Sequence, residues 1–300
     1  MATFPLLQFL RWLLILITGR GYDRSGWMNN FHHKLSFRLH KLLPIFGITG
    51  IQKVQVPGMP ERFMYVRAED GGVAHQLIMY HEYEPFESKL VREYLKPGMT
   101  VYNIGANLGY YTLLASECVG ADGKVYAFEP APDNLELLRR TISESGGTNI
   151  ELLTCAVSDQ SGTATLSISA TNSGDHQLRA DASRDHIQVP TLSIDDFILQ
   201  GHPAPNAIIM DVQGAELDVL RGAETLLRSN APLVLFTEFW QAGLNERHPN
   251  GAREMLDILE RAGFQLHQID ERRKQLTPVA SGELMKKIQG DEEVNFLCMR

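Results

Sequence analysis

A chain of 300 residues with 44% hydrophobic content can bury one large α/β core and carry a small extension. A formal net charge of −8 argues against general nucleic-acid binding, which needs a basic footprint. Cys118, Cys155 and Cys298 are far apart and show neither metal spacing nor a disulfide framework, so a reducing, cytoplasmic compartment is expected.

Residues 1–50 form the first expected unit. They hold Arg11, Arg20, Arg24, Lys34, Arg38 and Lys41 against Asp23 alone. Phe4 to Ile17 is apolar except for Gln8 and Arg11, too short to span a bilayer comfortably and without the leading positive region of a secretory signal. From Phe31 to Leu43 the theme repeats, with Leu35, Leu39, Leu42 and Leu43 opposite Lys34, Arg38 and Lys41. Two readings stay open. Residues 1–43 lie on an anionic membrane surface at the inner face, or they form a helical cap buried on the rest of the protein.

Residues 51–95 are expected to be a small β-rich extension with a leading helix. The runs Val54–Val56, Phe63–Val66 and Gln76–Tyr80 are punctuated by Pro57, Pro60 and Gly71-Gly72. Tyr83-Glu-Pro-Phe-Glu87 opens a helix that reaches Tyr94, with Pro85 early, where its missing N–H costs nothing.

From residue 96 to residue 300 strand and helix alternate. Strands are predicted at 100–104, 124–129, 149–154, 207–211 and 232–238, and helices at 110–118, 132–145, 214–228 and 250–262. This alternation predicts a parallel sheet covered on both faces. A β-rich insert, Ala164 to Ile168 and His186 to Pro190, flanks a polar loop from Ala170 to Arg184. Phe264–Ile269 and Val294–Met299 add two last strands.

The densest signal is Val101-Tyr-Asn-Ile-Gly-Ala-Asn-Leu-Gly-Tyr-Tyr111, followed by Lys124-Val-Tyr-Ala-Phe-Glu-Pro130. A glycine turn after one strand and an acid at the tip of the next make a nucleotide-binding geometry, because the acid can accept from both ribose hydroxyls. A dinucleotide site usually needs a third glycine. Here Ala106 and Asn107 lie between Gly105 and Gly109, and the third glycine is missing.

Three motifs in order, Gly105-Ala-Asn-Leu-Gly-Tyr-Tyr-Thr112, Ala127-Phe-Glu-Pro130 and Asp211-Val-Gln-Gly-Ala-Glu216, resemble the FkbM family of class I S-adenosylmethionine-dependent methyltransferases. The resemblance covers roughly Glu82 to Trp240. It implies a Rossmann-like, doubly wound, mostly parallel seven-stranded sheet, here with an N-terminal helical and β extension. It also implies methyl transfer to hydroxyls of sugars, glycolipids or related metabolites, with S-adenosylmethionine as cofactor. A small-molecule or lipid-linked saccharide is the expected acceptor, and neither nucleic acid nor a metal is expected.

On this reading Asn103, Gly105, Ala106, Asn107 and Gly109 face the methionine part of the cofactor. Glu129 takes the ribose, and Asp159, after the third strand, is a candidate for the adenine amine or a turn residue. Asp211 and Glu238, at the tips of their strands, are the candidate catalytic acids. A sugar hydroxyl is a poor acid, so a carboxylate beside it should help remove its proton. His176 in the polar loop is a candidate base or a merely solvated residue, the second being preferred, and Glu216 is read as a helix-opening acid that complements the dipole. The tract from Tyr83 to Glu87 and the 170–184 loop should meet the acceptor.

Three departures from the family pattern stand out. Asn103 replaces the usual Asp, Ile209 the usual Lys and Gln213 the usual Glu. They keep a second reading open, a catalytically weakened cofactor-binding or scaffold protein. A nicotinamide-dependent oxidoreductase is a third, disfavoured by the missing glycine.

Overall fold

In a computed structural model, the structure describes residues 34–229, 231–288 and 292–300. The apolar run from Phe4 to Ile17, and with it most of the proposed membrane segment, lies outside the described residues.

Residues 34–40 are helical. Leu35 and Leu39 pack against an apolar cluster that buries Leu43, and the Ser36 hydroxyl meets His75 Nε2 at 2.6 Å. This part of the segment is therefore a cap on the protein. Leu42, grouped by sequence with the inward leucines, is instead exposed together with Phe37 and Ile45. A hairpin follows, β1 (Ile51–Val56) with β2 (Met59–Arg67). The predicted strand at Gln76–Tyr80 is instead part of helix α1 (Val73–Met79). Val73, Ala74, Leu77 and Ile78 are all buried, a helical spacing that outweighed the short β-prone run. Helix α2 (Pro85–Tyr94) starts at its proline as expected.

The main sheet begins with β3 (Thr100–Ile104), helix α3 (Tyr110–Val119), β4 (Lys124–Phe128), helix α4 (Pro132–Glu144) and β5 (Ile150–Leu153). An insert of three strands, β6 (Ala156–Val157), β7 (Gly162–Ile168) and β8 (Asp185–Leu192), forms a separate small sheet. The chain returns through α5 (Ile194–Leu199) to β9 (Ala207–Met210). The helix expected at 214–228 is two short ones, α6 (Glu216–Arg221) and α7 (Glu224–Arg228). Gln213 and Gly214 take left-handed backbone before α6, which delays its start. Then come β10 (Val234–Trp240), α8 (Gln241–Arg247), α9 (Gly251–Arg261), β11 (Gln265–Asp270), β12 (Gln275–Pro278), α10 (Ser281–Lys287) and β13 (Glu293–Met299).

The sheet has eight strands in the order β12-β11-β13-β10-β9-β3-β4-β5. Seven are those expected, and β12 is an added edge strand beside β11. The five from β10 to β5 run parallel, β13 and β12 run opposite to them, and β11, antiparallel to both of its neighbours, runs with the five. The central strands are apolar on both faces, as a helix-covered parallel sheet requires. Every residue of Ala207–Met210 is buried, as are Val101 to Ile104. One apolar cluster joins Val56, Met64 and Leu77 of the extension to Val101, Leu113 and Phe236 of the sheet, so the extension is bound through shared core.

Connection order reverses between β3 and β9. Ligands of open α/β sheets sit at such a switch point, outside the carboxyl ends of the strands. Register then does the rest. Ile104 pairs with both Phe128 and Met210, and Met210 with Thr237. The next residue on each strand, Gly105, Glu129, Asp211 and Glu238, therefore falls in one row.

Candidate active site

The turn after β3 is shaped by packing. Gly105 has φ 80° and Gly109 φ 97°. A Cβ on Gly105 would lie 2.0 Å from the carbonyl oxygen of Asp211, and one on Gly109 2.6 Å from Leu138 of α4. These contacts account for both glycines without a ligand, a reason different from the close cofactor approach expected from the motif. The amides of Gly105 and Ala106 both donate to the Phe128 carbonyl, at 3.0 and 2.9 Å. Asn107, also left-handed at φ 49°, donates its amide to Glu129 Oε2 at 2.8 Å.

Glu129 is buried and clamps this turn. Its Oε1 accepts from the Ala131 amide at 2.9 Å and from Asn134 Nδ2 at 3.4 Å. A carboxylate has about four acceptor positions, so room remains for ribose hydroxyls. Burial lifts its pKa to about 7 against the pull of these donors.

Around it opens a cavity of about 590 Å³ including its mouth. Phe128, Val157, Leu166, Leu178 and Val212 give it apolar walls suited to a flat base. Arg247 of α8 holds the far wall by donating to both the Leu178 carbonyl and the buried carboxylate of Asp218. The polar loop closes the near side. Ser173 donates its amide and hydroxyl to Asp70 at 2.9 and 2.6 Å, and its hydroxyl also reaches Asn107 Oδ1 at 3.3 Å. His176, read as solvated, is half-buried in the wall. Its Nδ1 accepts from the Ser169 amide at 3.1 Å, so the neutral ring carries its proton on Nε2, and burial lowers its pKa.

Asp159 is not brought to this cavity. It lies exposed on the turn after β6, hydrogen-bonded to the Ser158 hydroxyl at 3.2 Å. The chain there passes so close to Gly222 that a Cβ on that glycine would sit 2.1 Å from the Ser158 carbonyl. The base-facing wall is made by the residues just before it.

A second cavity, of about 600 Å³ with its mouth, continues past Gly105, Asn107 and Asp211, which line both. Its walls include Glu84, Glu87, Asp211 and Glu238. Gln213 Nε2 donates to Asp211 Oδ1 at 2.8 Å and to Glu238 Oε2 at 3.0 Å, so one amide bridges the two candidate catalytic acids. Burial raises the pKa of both, and the Asp211 charge lifts Glu238 further, well above the carboxylate range. Tyr111 donates its hydroxyl to Glu84 Oε2 at 2.7 Å, and Asn295 donates its amide to Glu87 Oε2 at 2.6 Å. Burial raises Glu84 to about 7 and Glu87 well above its usual range.

Asn103 is buried behind the turn. Its Oδ1 accepts from the Thr112 hydroxyl at 2.6 Å, and its Nδ2 donates to the Ile209 carbonyl at 3.4 Å. It also lines the acidic cavity, but its hydrogen bonds tie β3 to α3 and β9. Ile209 is buried in the core at the wall of the same cavity. Glu216 caps the turn before α6, with Oε1 accepting from the amides of Val212 at 3.2 Å and Gly214 at 3.3 Å. Glu271 and Asn295 carry no local motif and were not singled out from the sequence, and Tyr111, inside the glycine-turn motif, was given no role there. Glu271 accepts from the amides of Phe86 at 3.0 Å and Glu87 at 2.6 Å, fixing the start of α2. Among the described residues no set of three or more His, Cys, Asp or Glu has metal-holding geometry.

The chain is similar to several known methyltransferases. The model of the methyltransferase FkbM domain matches residues 103–266. The hexuronic acid methyltransferase AglP of Haloferax volcanii is 31% identical over 144 residues, covering 47% of this chain and 56% of that protein. A protein-L-isoaspartate O-methyltransferase of Methanococcus maripaludis is 36% identical over 59 residues, covering 20% of this chain and 28% of that protein. The chain thus aligns with little more than half of the first relative and less of the second. A crystal structure of methyltransferase FkbM from Methylobacillus flagellatus KT superposes with a TM-score of 0.43 at 14% identity, over 75% of this chain and 52% of that one. With the family model spanning more than half of its length, the chain belongs to the FkbM family of S-adenosylmethionine-dependent methyltransferases.

Proposed function

We propose that this protein methylates a hydroxyl of a saccharide or lipid-linked saccharide. The observation that carries this reading is the pair Asp211 and Glu238, held together by the Gln213 amide where the two cavities meet. The residues fit the donor. The apolar cavity suits an adenine ring, Glu129 has acceptor positions to spare, and the acids beyond Gly105 suit a cationic centre. When bound, S-adenosylmethionine supplies an electrophilic methyl group on sulfur.

The chain's own part is to bind, orient and deprotonate. Glu84 and Asp211 each have one carboxylate oxygen engaged by a protein donor, which leaves the other to accept from an acceptor hydroxyl. Asp211 or Glu238 would hold the hydroxyl proton released as the acceptor oxygen took the methyl group that the donor supplies. A raised pKa makes the ionised carboxylate a stronger base, which suits a weakly acidic hydroxyl. The test is release of S-adenosylhomocysteine, with mass gain on the acceptor, when the purified protein meets glycans and glycolipids. Binding of the donor without turnover on any hydroxyl acceptor would favour the scaffold reading.

Peripheral membrane contact belongs to the same proposal. It is supported by exposed Phe37, Leu42 and Ile45 beside exposed Lys34, Arg38 and Lys41. No helix among the described residues is long and apolar enough to cross a membrane. Sedimentation with anionic vesicles, lost in high salt and reduced when Lys34, Arg38 and Lys41 are each replaced by Ser, tests it.

A further inference from the structure

The polar loop on the near side of the adenosine cavity is held largely from outside the stretch that matches the family, residues 103–266. Ser173 and Gly174 at its tip line that cavity together with His176. The tip is shaped by local turns. The Asn172 amide donates to Ser169 Oγ at 3.3 Å, and the Gly174 amide to Asn172 Oδ1 at 2.9 Å. Helix α4 adds one bond, from Asn134 Nδ2 to the Ser173 carbonyl at 3.1 Å. The extension adds three. The Gly71 amide donates to the Thr171 carbonyl at 2.9 Å, and Asp70 accepts from both the amide and the hydroxyl of Ser173, at 2.9 and 2.6 Å. That hydroxyl has one hydrogen, and the nearer, charged oxygen of Asp70 outcompetes Asn107 Oδ1 at 3.3 Å. Gly72 permits the close approach, since a Cβ there would lie 2.1 Å from Asn172 Oδ1.

We infer that Asp70 is a positioning residue that latches this loop over bound S-adenosylmethionine, so that the extension sets how tightly and how long the donor is held. This rests on the placement of the donor beside Glu129. Asp70 is only 8% exposed, and a buried carboxylate persists where donors satisfy it. It has the two from Ser173 and the Gly72 amide at 3.1 Å. Two of these three belong to the loop, so the acid is fully satisfied only while the loop is closed. The two sides of the latch are mounted differently. Gly72 leads directly into α1, whose Val73, Ala74 and Leu77 are buried in the core shared with the sheet, so Asp70 is fixed. From Ala170 to His176 the loop contributes no side chain to any of the apolar clusters. A segment held by polar bonds rather than by packing opens at lower cost, which makes the loop the moving part. Asp70 does not itself line the adenosine cavity and acts through Ser173, which does.

The experiment measures S-adenosylmethionine binding to the full chain by calorimetry, and its release by chasing radiolabelled donor with excess unlabelled donor. Asp70→Asn keeps the shape but loses the charge and one acceptor oxygen. It should weaken affinity about tenfold, mainly through faster release. Ser173→Ala removes only the hydroxyl bond and should speed release about threefold. The double variant should fall short of the product of the two single effects, because both substitutions act on one contact. A substitution that only damaged the fold would lower the Tm and the number of binding sites per chain. It would leave the affinity and release rate of the remaining sites unchanged. Wild-type affinity and release in Asp70→Asn, or single effects that multiply in full, overturns the latch. Should Asp70→Asn not fold, Ser173→Ala decides alone, and an unchanged release rate overturns the inference. If the wild type binds no donor, the placement beside Glu129 fails and the latch falls with it, an outcome distinct from tight binding that both variants leave untouched.

Discussion

The two cavities share a row of strand ends yet are built on opposite principles. On the adenosine side one acid, Glu129, is surrounded by donors and set in apolar walls. On the acceptor side four acids compete for few donors. We read the first as a site for positioning, where Glu129 is held by three protein donors and keeps an acceptor position for the ribose. We read the second as the site for proton transfer, where several buried acids share few donors. The contrast makes separate demands on substitutions in the two halves.

The largest effect should come from the acceptor half. Asp211→Asn and Glu238→Gln keep shape and the neighbourhood of Gln213 but remove the base. Each should lower kcat by about 10²- to 10⁴-fold for the residue that takes the proton, with donor affinity little changed. If both variants turn over normally, the proton leaves by another route and the two cavities do not differ as argued.

On the adenosine side the expected loss is in binding. Glu129→Ala removes a ribose acceptor and also frees the Asn107 and Ala131 amides. Donor affinity should fall by about 1–3 kcal/mol, the cost of an unmatched hydrogen-bonding site, and kcat at saturation should suffer less. Glu129→Gln keeps one acceptor and should fall between. Calorimetry showing unchanged affinity, with the fold intact, would remove the ribose role and leave Glu129 as a clamp of the turn alone.

Gln213 sharpens the comparison further. Its departure from the family's usual Glu looks like decay when only the sequence is read. The structure places its amide as the bridge between Asp211 and Glu238. A Gln213→Glu substitution would set a third carboxylate against two acids whose pKa values are already raised. Turnover should drop by about tenfold or more, and its pH midpoint should move upward as the cluster holds its protons more tightly. An increase in turnover would show that the bridge is a relic.

How far the sequence revealed each half follows from chain distance. The glycine turn, Glu129 and the strand tips at Asp211 and Glu238 were legible because each belongs to a continuous strand-turn unit. Parallel register then carried them into one row. The acceptor half draws Asn295 against Glu87, which is 208 positions away, and no local pattern announces such a pairing. Of the two readings of Asp159 the turn is the one that holds, where Ser158 is crowded against Gly222. Gln76–Tyr80 misled because a short β-prone run is ambiguous until its burial partners are known. The helical cap was half legible. Leu35, Leu39 and Leu43 pack inward as their spacing suggests, but Leu42 does not.

The smallest expected effect links the acids to stability. Burial lifts Glu129, Glu216 and Glu84 to about 7 from an ordinary value of 4.5. Between these values the folded protein keeps protons that the unfolded chain has released, so stability falls as pH rises through the window. Two histidines, one buried and one half-buried, act the other way. His40 and His176 have lowered pKa values, so below the usual 6.5 the unfolded chain takes up protons that the folded protein refuses. Glu144, Asp181 and Asp196 have lowered values and stay ionised in both states throughout this range. The Tm of the ligand-free protein should therefore rise as pH falls from about 8 toward about 5, less steeply below about 6.5 where the two histidines of the unfolded chain take up protons. Glu84→Gln should raise Tm at about pH 8 and lose that advantage near pH 5, where the wild-type acid is already protonated. Catalysis needs an ionised base and should run the other way, rising with pH over the interval in which stability falls. A Tm that is flat across the interval, unmoved by Glu84→Gln, would mean that the acids ionise freely in the folded protein.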